Sequence, residues 1–194
     1  MAEIEVSNDW NKLGTVIGSA FAEDPVTGWI SSNPKNPVLM FRQLARHVYV
    51  PGGKCYLAGD LGGALWLENP RAMGLPLLPT ISLGVEMIMA SGVQSVWRAL
   101  AVENAMLRRH PRVPHMYLFA VGVSPQARGR GVGRSLMTHV LADCDARGMA
   151  AYLENSNPRN ASLYMGLGFK PGDPFTPAQG APQLTPMWRE PVAP

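Results

Sequence analysis

The sequence predicts a single α/β domain, and three observations carry that prediction. Hydrophobic residues occupy 46% of the 194 positions, enough for a sizeable core. The second half alternates strand-like and helix-like patterns around a glycine-rich turn, and the first half joins helical patterns to a short hairpin. Gly and Pro, 20 and 18 residues, stay below the low-complexity range of roughly 25–30%. The chain is loop-rich but folded.

Residues 3–6 read as a short strand. Asn8 or Ser7 then caps a helix from about Asp9 to Ala22, with Trp10, Leu13, Ile17 and Phe21 on one face. Residues 23–36 read as a loop, since Asp24-Pro25, Gly28 and Asn33-Pro34 are turn chemistry. A second amphipathic helix follows Pro37, carrying Val38, Phe41, Leu44, Ala45 and Val48. Strands at 54–58 and 64–67, joined through Gly59-Asp60-Leu61-Gly62-Gly63, read as an antiparallel hairpin. Residues 69–80 are a Pro-rich loop, and 81–109 are mostly helical with a break at Ser91-Gly92. His115–Val123 is apolar on both faces and suits a central buried strand. A helix from Gly131 to Arg147 points Val132, Leu136, Val140 and Cys144 inward and Arg134, His139, Asp143 and Arg147 outward. Residues 150–154 form the next strand. Asn157 caps a helix with Pro158 in its first position, ending near Gly166–Gly168. Beyond Pro171 the prolines leave Leu184–Arg189 as the plausible strand, at a sheet edge.

Composition narrows the function. Seventeen Lys and Arg against 14 Asp and Glu give a net charge of +3, too small for a nucleic-acid face. Cys55 and Cys144 make no disulfide framework, and Cys144 falls on the inward face of its helix. His47, His110, His115 and His139 are scattered without H-x-x-x-H spacing, so no metal site is expected. The apolar stretch at 75–90 is broken by Pro76, Pro79 and Glu86, so no membrane partner is expected. The acidic start lacks the regions of a signal peptide, which places the chain in the cytoplasm.

The most informative segment runs from Val123 to Ser135, where a strand hands over to a helix. Gly129, Gly131 and Gly133 let an anionic group approach the backbone, and the first helical N–H groups point at it. Arg128, Arg130 and Arg134 add positive charge in the same turn. A phosphate or pyrophosphate is the expected ligand. A P-loop would need Lys where Arg134 stands, and a Rossmann fingerprint would need Gly or Ala there. Glu154 does lie about 20 residues on, where a dinucleotide fold would want a ribose-binding acid, which keeps an NAD(P)-binding protein as a rival.

Arg128-Gly129-Arg130-Gly131-Val132-Gly133 fits R/Q-x-x-G-x-G/A, the pyrophosphate loop of GCN5-related N-acetyltransferases (GNAT). Downstream, Asn157, Asn160, Tyr164, Gly168 and Phe169 fit that superfamily's N-x-x-N/A-x-x-x-Y-x-x-x-G-F segment. The resemblance spans roughly Tyr117 to Phe169. Scattered pieces, among them Ala64-Leu65-Trp66 and Met187-Trp188-Arg189, are similar to the puromycin N-acetyltransferase subgroup. The resemblance implies a mixed, mostly antiparallel sheet with a splayed parallel strand pair, flanked by helices. It divides the single domain into an acceptor-side half (1–114), an acetyl-CoA-binding core (115–170) and a Pro-rich tail (171–194). Acetyl-CoA is the implied co-substrate. Its pantetheine arm would run along the backbone of Val121 and Val123, and its pyrophosphate would sit on the loop from Arg128 through Gly129, Arg130, Gly131, Val132 and Gly133 to Arg134. Asn160 and Tyr164, four apart, would face it together.

Acyl transfer to an amine needs a neutral amine, a stabilised oxyanion and a proton for the thiolate. Tyr164, of reference pKa about 10, is the expected acid. Glu154, at the end of its strand, is the preferred base, and His115 is a base by type but lies far from the thioester. Neither cysteine has a histidine arrangement, so direct attack is expected in place of an acyl-enzyme. The acceptor is expected to be a small-molecule primary amine, held by Trp29, Trp66 and the 69–80 loop. A monomer or homodimer is expected. The alternative is a non-catalytic acyl-CoA-binding sensor, against which Tyr164 argues because binding alone needs no proton donor.

Overall fold

The computed structural model describes residues 3–68 and 74–192. One sheet holds seven strands: β1 (Glu5–Val6), β2 (Lys54–Leu57), β3 (Gly62–Leu67), β4 (Met116–Val123), β5 (Ala151–Asn155), β6 (Lys170–Pro171) and β7 (Thr185–Arg189). Their order is β1-β2-β3-β4-β5-β7-β6. All neighbours are antiparallel except β4 and β5, which run parallel at the centre of the sheet. The mixed sheet is therefore the one the sequence predicts. The edge is not: β7 is paired on both sides, and the two-residue β6 takes the outer position.

Helix α1 (Trp10–Ala20) is capped by Asp9, not by Asn8 or Ser7; the Asp9 side chain accepts the Lys12 N–H at 2.9 Å. A Cβ at Gly14 or Gly18 would lie 2.5 Å from the Cα of Arg42 or Val38, so α1 meets α3 (Lys35–Leu44) backbone against backbone. The expected loop at 23–36 contains α2 (Pro25–Ile30). Asp24 accepts the N–H groups of Val26 and Thr27, and Pro25 takes the first helical position, so this Asp-Pro pair starts a helix. Helix α3 begins ahead of Pro37, whose missing N–H falls in the first turn where none is needed. It continues through a π-helical stretch, Ala45–Tyr49, to a last turn, α4 (Val50–Gly52). Helix α5 (Leu77–Ser91) also starts earlier than expected, with Pro79 in its first turn. Gly92, at φ +80°, separates it from α6 (Val93–Arg109). Of the expected 69–80 loop, residues 69–73 lie outside the described residues.

Helix α7 (Val132–Ala146) crosses from β4 to β5, and a 3-10 turn at Pro158–Asn160 leads into α8 (Ala161–Met165). Leu136, Met137, Val140 and Cys144 of α7 pack with Trp66, Leu118 and Leu153 on one face of the sheet. Leu13, Ile17 and Phe41 pack with Leu65, Tyr117 and Tyr152 on the other. A third core joins α2, α5 and α6 through Val26, Ile30, Leu83, Met87 and Val102. Each such fully buried side chain contributes on the order of 1.5–3 kcal/mol. Among the described residues no helix is long and apolar enough to cross a membrane.

The central strands do not stay together. Leu65 pairs with Ala120 and Trp66 with Leu118, which leaves Phe119 as an extra residue in β4. Phe119 and Ala120 consequently turn toward the same face of the sheet. At the same point the parallel pairing ends: its registered partners are Met116–Ala151, Tyr117–Tyr152 and Leu118–Leu153. Beyond Leu118, β4 goes on to Val123 with no partner on its β5 side. The bulge opens the sheet there.

Candidate active site

Three parts meet at the opened sheet. The first is the loop between β4 and α7. Gly129 and Gly131 have φ of +75° and +80°, and a Cβ at either would meet nothing within 4 Å. Backbone conformation therefore requires these glycines, and the surface above them is open. Gly133 differs. A Cβ there would press on the Val123 side chain at 3.3 Å, so its role is to bring α7 close to β4. Gly131 caps α7 without a side-chain hydrogen bond. The N–H groups of residues 131–134 find no acceptor among the described residues. Free N–H groups at a helix start, beside exposed Arg130 and Arg134, suit a polyanion. Arg128 is engaged otherwise: its guanidinium meets the Glu23 carboxylate at 2.7 Å, which holds that carboxyl below its ordinary range. Arg134 reaches across to the Gly166 carbonyl at 3.3 Å.

The second part is α8 with the turn before it. The Asn157 side chain accepts the Arg159 N–H at 3.1 Å and starts the turn. Asn160 closes the turn and is exposed, whereas Tyr164 is buried at 7% exposure, its ring edge-on to Phe169. Asn160 thus ends the 3-10 turn and Tyr164 lies within α8. Burial, reinforced by the charge of Asp24, pushes the Tyr164 pKa up, so the phenol holds its proton at neutral pH.

The third part is a cavity of about 220 Å³ under α2, α3, α5 and α6. Its walls are apolar, with Met40, Leu83, Met87, Val102 and Phe119 among them, and it carries three carboxylates, Asp24, Glu103 and Glu154. Among the described residues neither Lys nor Arg lines it. Glu154 is at its floor, with 1% of its side chain exposed. One carboxylate oxygen accepts the Tyr117 hydroxyl at 2.8 Å; the other is buried without a partner. Ser156 donates to Asp24, whose pKa burial raises. Of the expected acceptor groups, Leu75 and Thr80 do line this cavity. Trp66 is fully buried in the core beneath α7, and Trp29 packs against Arg98 and Trp97 instead. The cavity walls come from α2, in the expected loop, and from α3, α5 and α6, whose helical spacing carries no signal for a cavity between them.

Two of the four histidines come together in space. His110 and His115 meet through their Nε2 atoms at 3.0 Å, and His110 Nδ1 stands 3.8 Å from Glu154. Their separation of five residues matches no ligand or helix-face spacing; a turn after α6 folds one onto the other.

The family model for the acetyltransferase (GNAT) family matches residues 98–169, a stretch that includes β4, the glycine loop, α7, β5 and α8. A Corynebacterium glutamicum structure, described as histone acetyltransferase HPA2 and related acetyltransferase, superposes over the full length. It covers 100% of this chain and 99% of its own, at TM-score 0.71 and 29% identity. Residues 98–169 thus match the acetyltransferase (GNAT) family, on a fold that the Corynebacterium structure shares along its whole length. N-alpha-acetyltransferase 40 of Saccharomyces cerevisiae is 37% identical over 82 residues, covering 37% of this chain and 28% of the yeast protein. The matched stretch thus spans under a third of that relative. The GNAT fold is shared as well by a Drosophila melanogaster polyamine N-acetyltransferase, at TM-score 0.60 and 18% identity, covering 97% and 100% of the two chains.

The site fits the acetyl-CoA that this superfamily implies. The opened β4 offers backbone groups at Val121 and Val123 to an extended arm, and the loop offers uncapped N–H groups to a pyrophosphate. Both thiols are buried and pushed up by that burial, Cys55 to about 12 and Cys144 to about 11, so neither is a ready nucleophile.

Proposed function

We propose that the protein is an acetyl-CoA-dependent N-acetyltransferase acting on a small primary amine by direct attack in a ternary complex. The observation that carries this reading is the apolar cavity, closed at its floor by the buried Glu154 and lying beside the unpaired length of β4. Bound acetyl-CoA supplies the activated acyl group. Val121 and Val123 hold its arm, and Gly129, Arg130, Gly131, Val132, Gly133 and Arg134 hold its pyrophosphate. Arg128 shapes this loop through Glu23, and Asn160 lies exposed beside it.

An amine enters the cavity as an ammonium ion, drawn by Asp24, Glu103 and Glu154, while its apolar body fills the walls. Glu154 takes the proton that frees the nitrogen lone pair. Tyr164 gives a proton at the leaving sulfur, a role that its raised pKa favours by keeping the phenol protonated. The enclosed walls favour a small acceptor over a folded protein, although two of the related proteins bear names with histone and N-alpha in them.

A panel of primary amines, read by release of free CoA thiol, tests the reading. Rapid release with compact apolar amines is expected. Tight acetyl-CoA binding without release from any amine, peptide or protein would instead establish the sensor alternative.

A further inference from the structure

The buried groups behind Glu154 form a connected set that acyl transfer to an amine does not by itself explain. His115 is fully buried. Its Nδ1 lies 2.8 Å from the Val113 carbonyl, which only accepts, so Nδ1 carries the hydrogen. Burial lowers the His115 pKa and keeps the ring neutral, which leaves Nε2 as a bare acceptor. The facing His110 Nε2, 3.0 Å away, must therefore be the donor. One carbonyl thus dictates the tautomer of two rings. In the neutral ring the remaining nitrogen, His110 Nδ1, keeps its lone pair; it lies 3.8 Å from the unpartnered oxygen of Glu154. Both atoms are buried without a hydrogen-bond partner, and so is the Tyr152 hydroxyl, which faces the same carboxylate. That hydroxyl can turn to Glu154, but His110 Nδ1 is still left facing the carboxylate with no donor of its own.

We infer that Glu154 and His110 together form a one-proton receiver for the amine, and that His115 is the positioning residue that sets it. The inference rests on the acetyl-transfer reading above. An incoming ammonium loses one N–H proton to Glu154, which passes it to His110 Nδ1. His110 is then an imidazolium with both N–H groups satisfied, one toward Glu154 and one toward His115. Its side chain, 8% exposed, returns the proton to solvent. As the C–S bond breaks, Tyr164 delivers its proton to sulfur and the second N–H proton of the amine restores the phenol, so the reaction releases one proton overall. The titratable groups facing the pair are Tyr117 from β4, Tyr49 from the π-helical stretch, Tyr152 from β5 and His115. Arg109 at the end of α6 acts on Tyr152 from farther away. All three tyrosines have pKa values pushed up by burial, so they stay neutral at neutral pH. A metal is a poorer occupant: among the described residues no three His, Cys, Asp or Glu side chains are grouped to hold one.

The test combines kinetics and nitrogen NMR on the full chain. His110→Ala should lower kcat by roughly ten- to a hundredfold, the scale of weakening one base. Added imidazoles should restore turnover, more strongly as their basicity rises. His110→Gln keeps a donor toward His115 but cannot take the proton; it should fold, lose comparable activity and resist rescue. NMR should show an Nε2–H tautomer for His110 and an Nδ1–H tautomer for His115. Loss of activity without imidazole rescue would reduce His110 to a packing role, and so overturn the inference, as would reversed tautomers. Full activity of His110→Gln would remove the relay and leave the acetyl-transfer reading intact, whereas a wild-type chain that acetylates no amine would remove both.

Discussion

The glycine loop, proposed to hold the cofactor, and the cavity floor, proposed to take the amine's proton, are built by opposite means. The loop at 128–134 presents backbone: positive-φ glycines, uncapped N–H groups and exposed arginines around an open surface. The floor presents a side chain, Glu154, backed by Tyr117, His110 and His115, which are held by contacts between distant segments. A backbone site is written in consecutive residues. A side-chain site is assembled by the fold, and it depends on where β4 and β5 part company. Binding and proton transfer should therefore be separable by mutation, and the following experiments sharpen or break that separation.

The largest effect is expected from Glu154→Gln. The amide still accepts from Tyr117 but takes no proton, so kcat/KM should fall roughly 10²–10⁴-fold at neutral pH. The deficit should shrink at alkaline pH, where more of the amine arrives neutral. An unchanged acid limb in the pH–rate profile would show that another group is the base.

Tyr164→Phe keeps the ring on Phe169 and removes the acid. Turnover should fall roughly ten- to a thousandfold, in kcat more than in KM, with acetyl-CoA affinity nearly unchanged. Since burial raises the Tyr164 pKa, the wild-type alkaline limb belongs above the ordinary tyrosine value and should disappear in the variant. Wild-type kcat across the pH range would leave Tyr164 a packing residue.

A smaller effect follows from Leu100→Lys. Leu100 lines the cavity and is partly exposed, so the fold should tolerate a cation at the rim. Repulsion of the ammonium should raise the acceptor KM by about tenfold, since a charge pair at the surface is worth on the order of 1 kcal/mol. Steady-state kinetics with a cationic and a neutral acceptor would check it; equal loss for both would mean simple obstruction.

The smallest effect is on stability. His115 is buried and its folded pKa lies below the unfolded value of about 6.5. The unfolded chain therefore binds the extra proton as pH falls through that window, and stability present above it is lost toward the lower folded value. Thermal unfolding should occur at lower temperature at pH 5 than at pH 7. A melting temperature independent of pH over that range would contradict a neutral buried His115.

The same contrast explains what the sequence revealed. The loop, the α7 face and the Asn157-Pro158 helix start are local, and each was legible from spacing. Hairpin β2–β3 was legible too, from alternation and turn glycines. Helix α2 was not, because Asp24-Pro25 is turn chemistry and a helix start alike, and only the accepted N–H groups of Val26 and Thr27 decide between them. The edge assignment of β7 failed because pairing with both β5 and β6 is set by tertiary contacts. Glu154 was readable as a candidate base by type and position, whereas the histidine that faces it, His110, was not. The two are 44 residues apart, and no periodicity joins the end of α6 to the end of β5.

Calorimetric titration of acetyl-CoA into the wild type, Gly131→Val and Glu154→Gln tests the central claim most directly. Gly131 has positive φ and an open surface above it, so valine there strains the loop and occupies the anion site. Binding should be lost in folded Gly131→Val and unchanged in Glu154→Gln. Wild-type affinity in Gly131→Val, or its loss in Glu154→Gln, would contradict the division between a backbone site for the cofactor and a side-chain site for the amine.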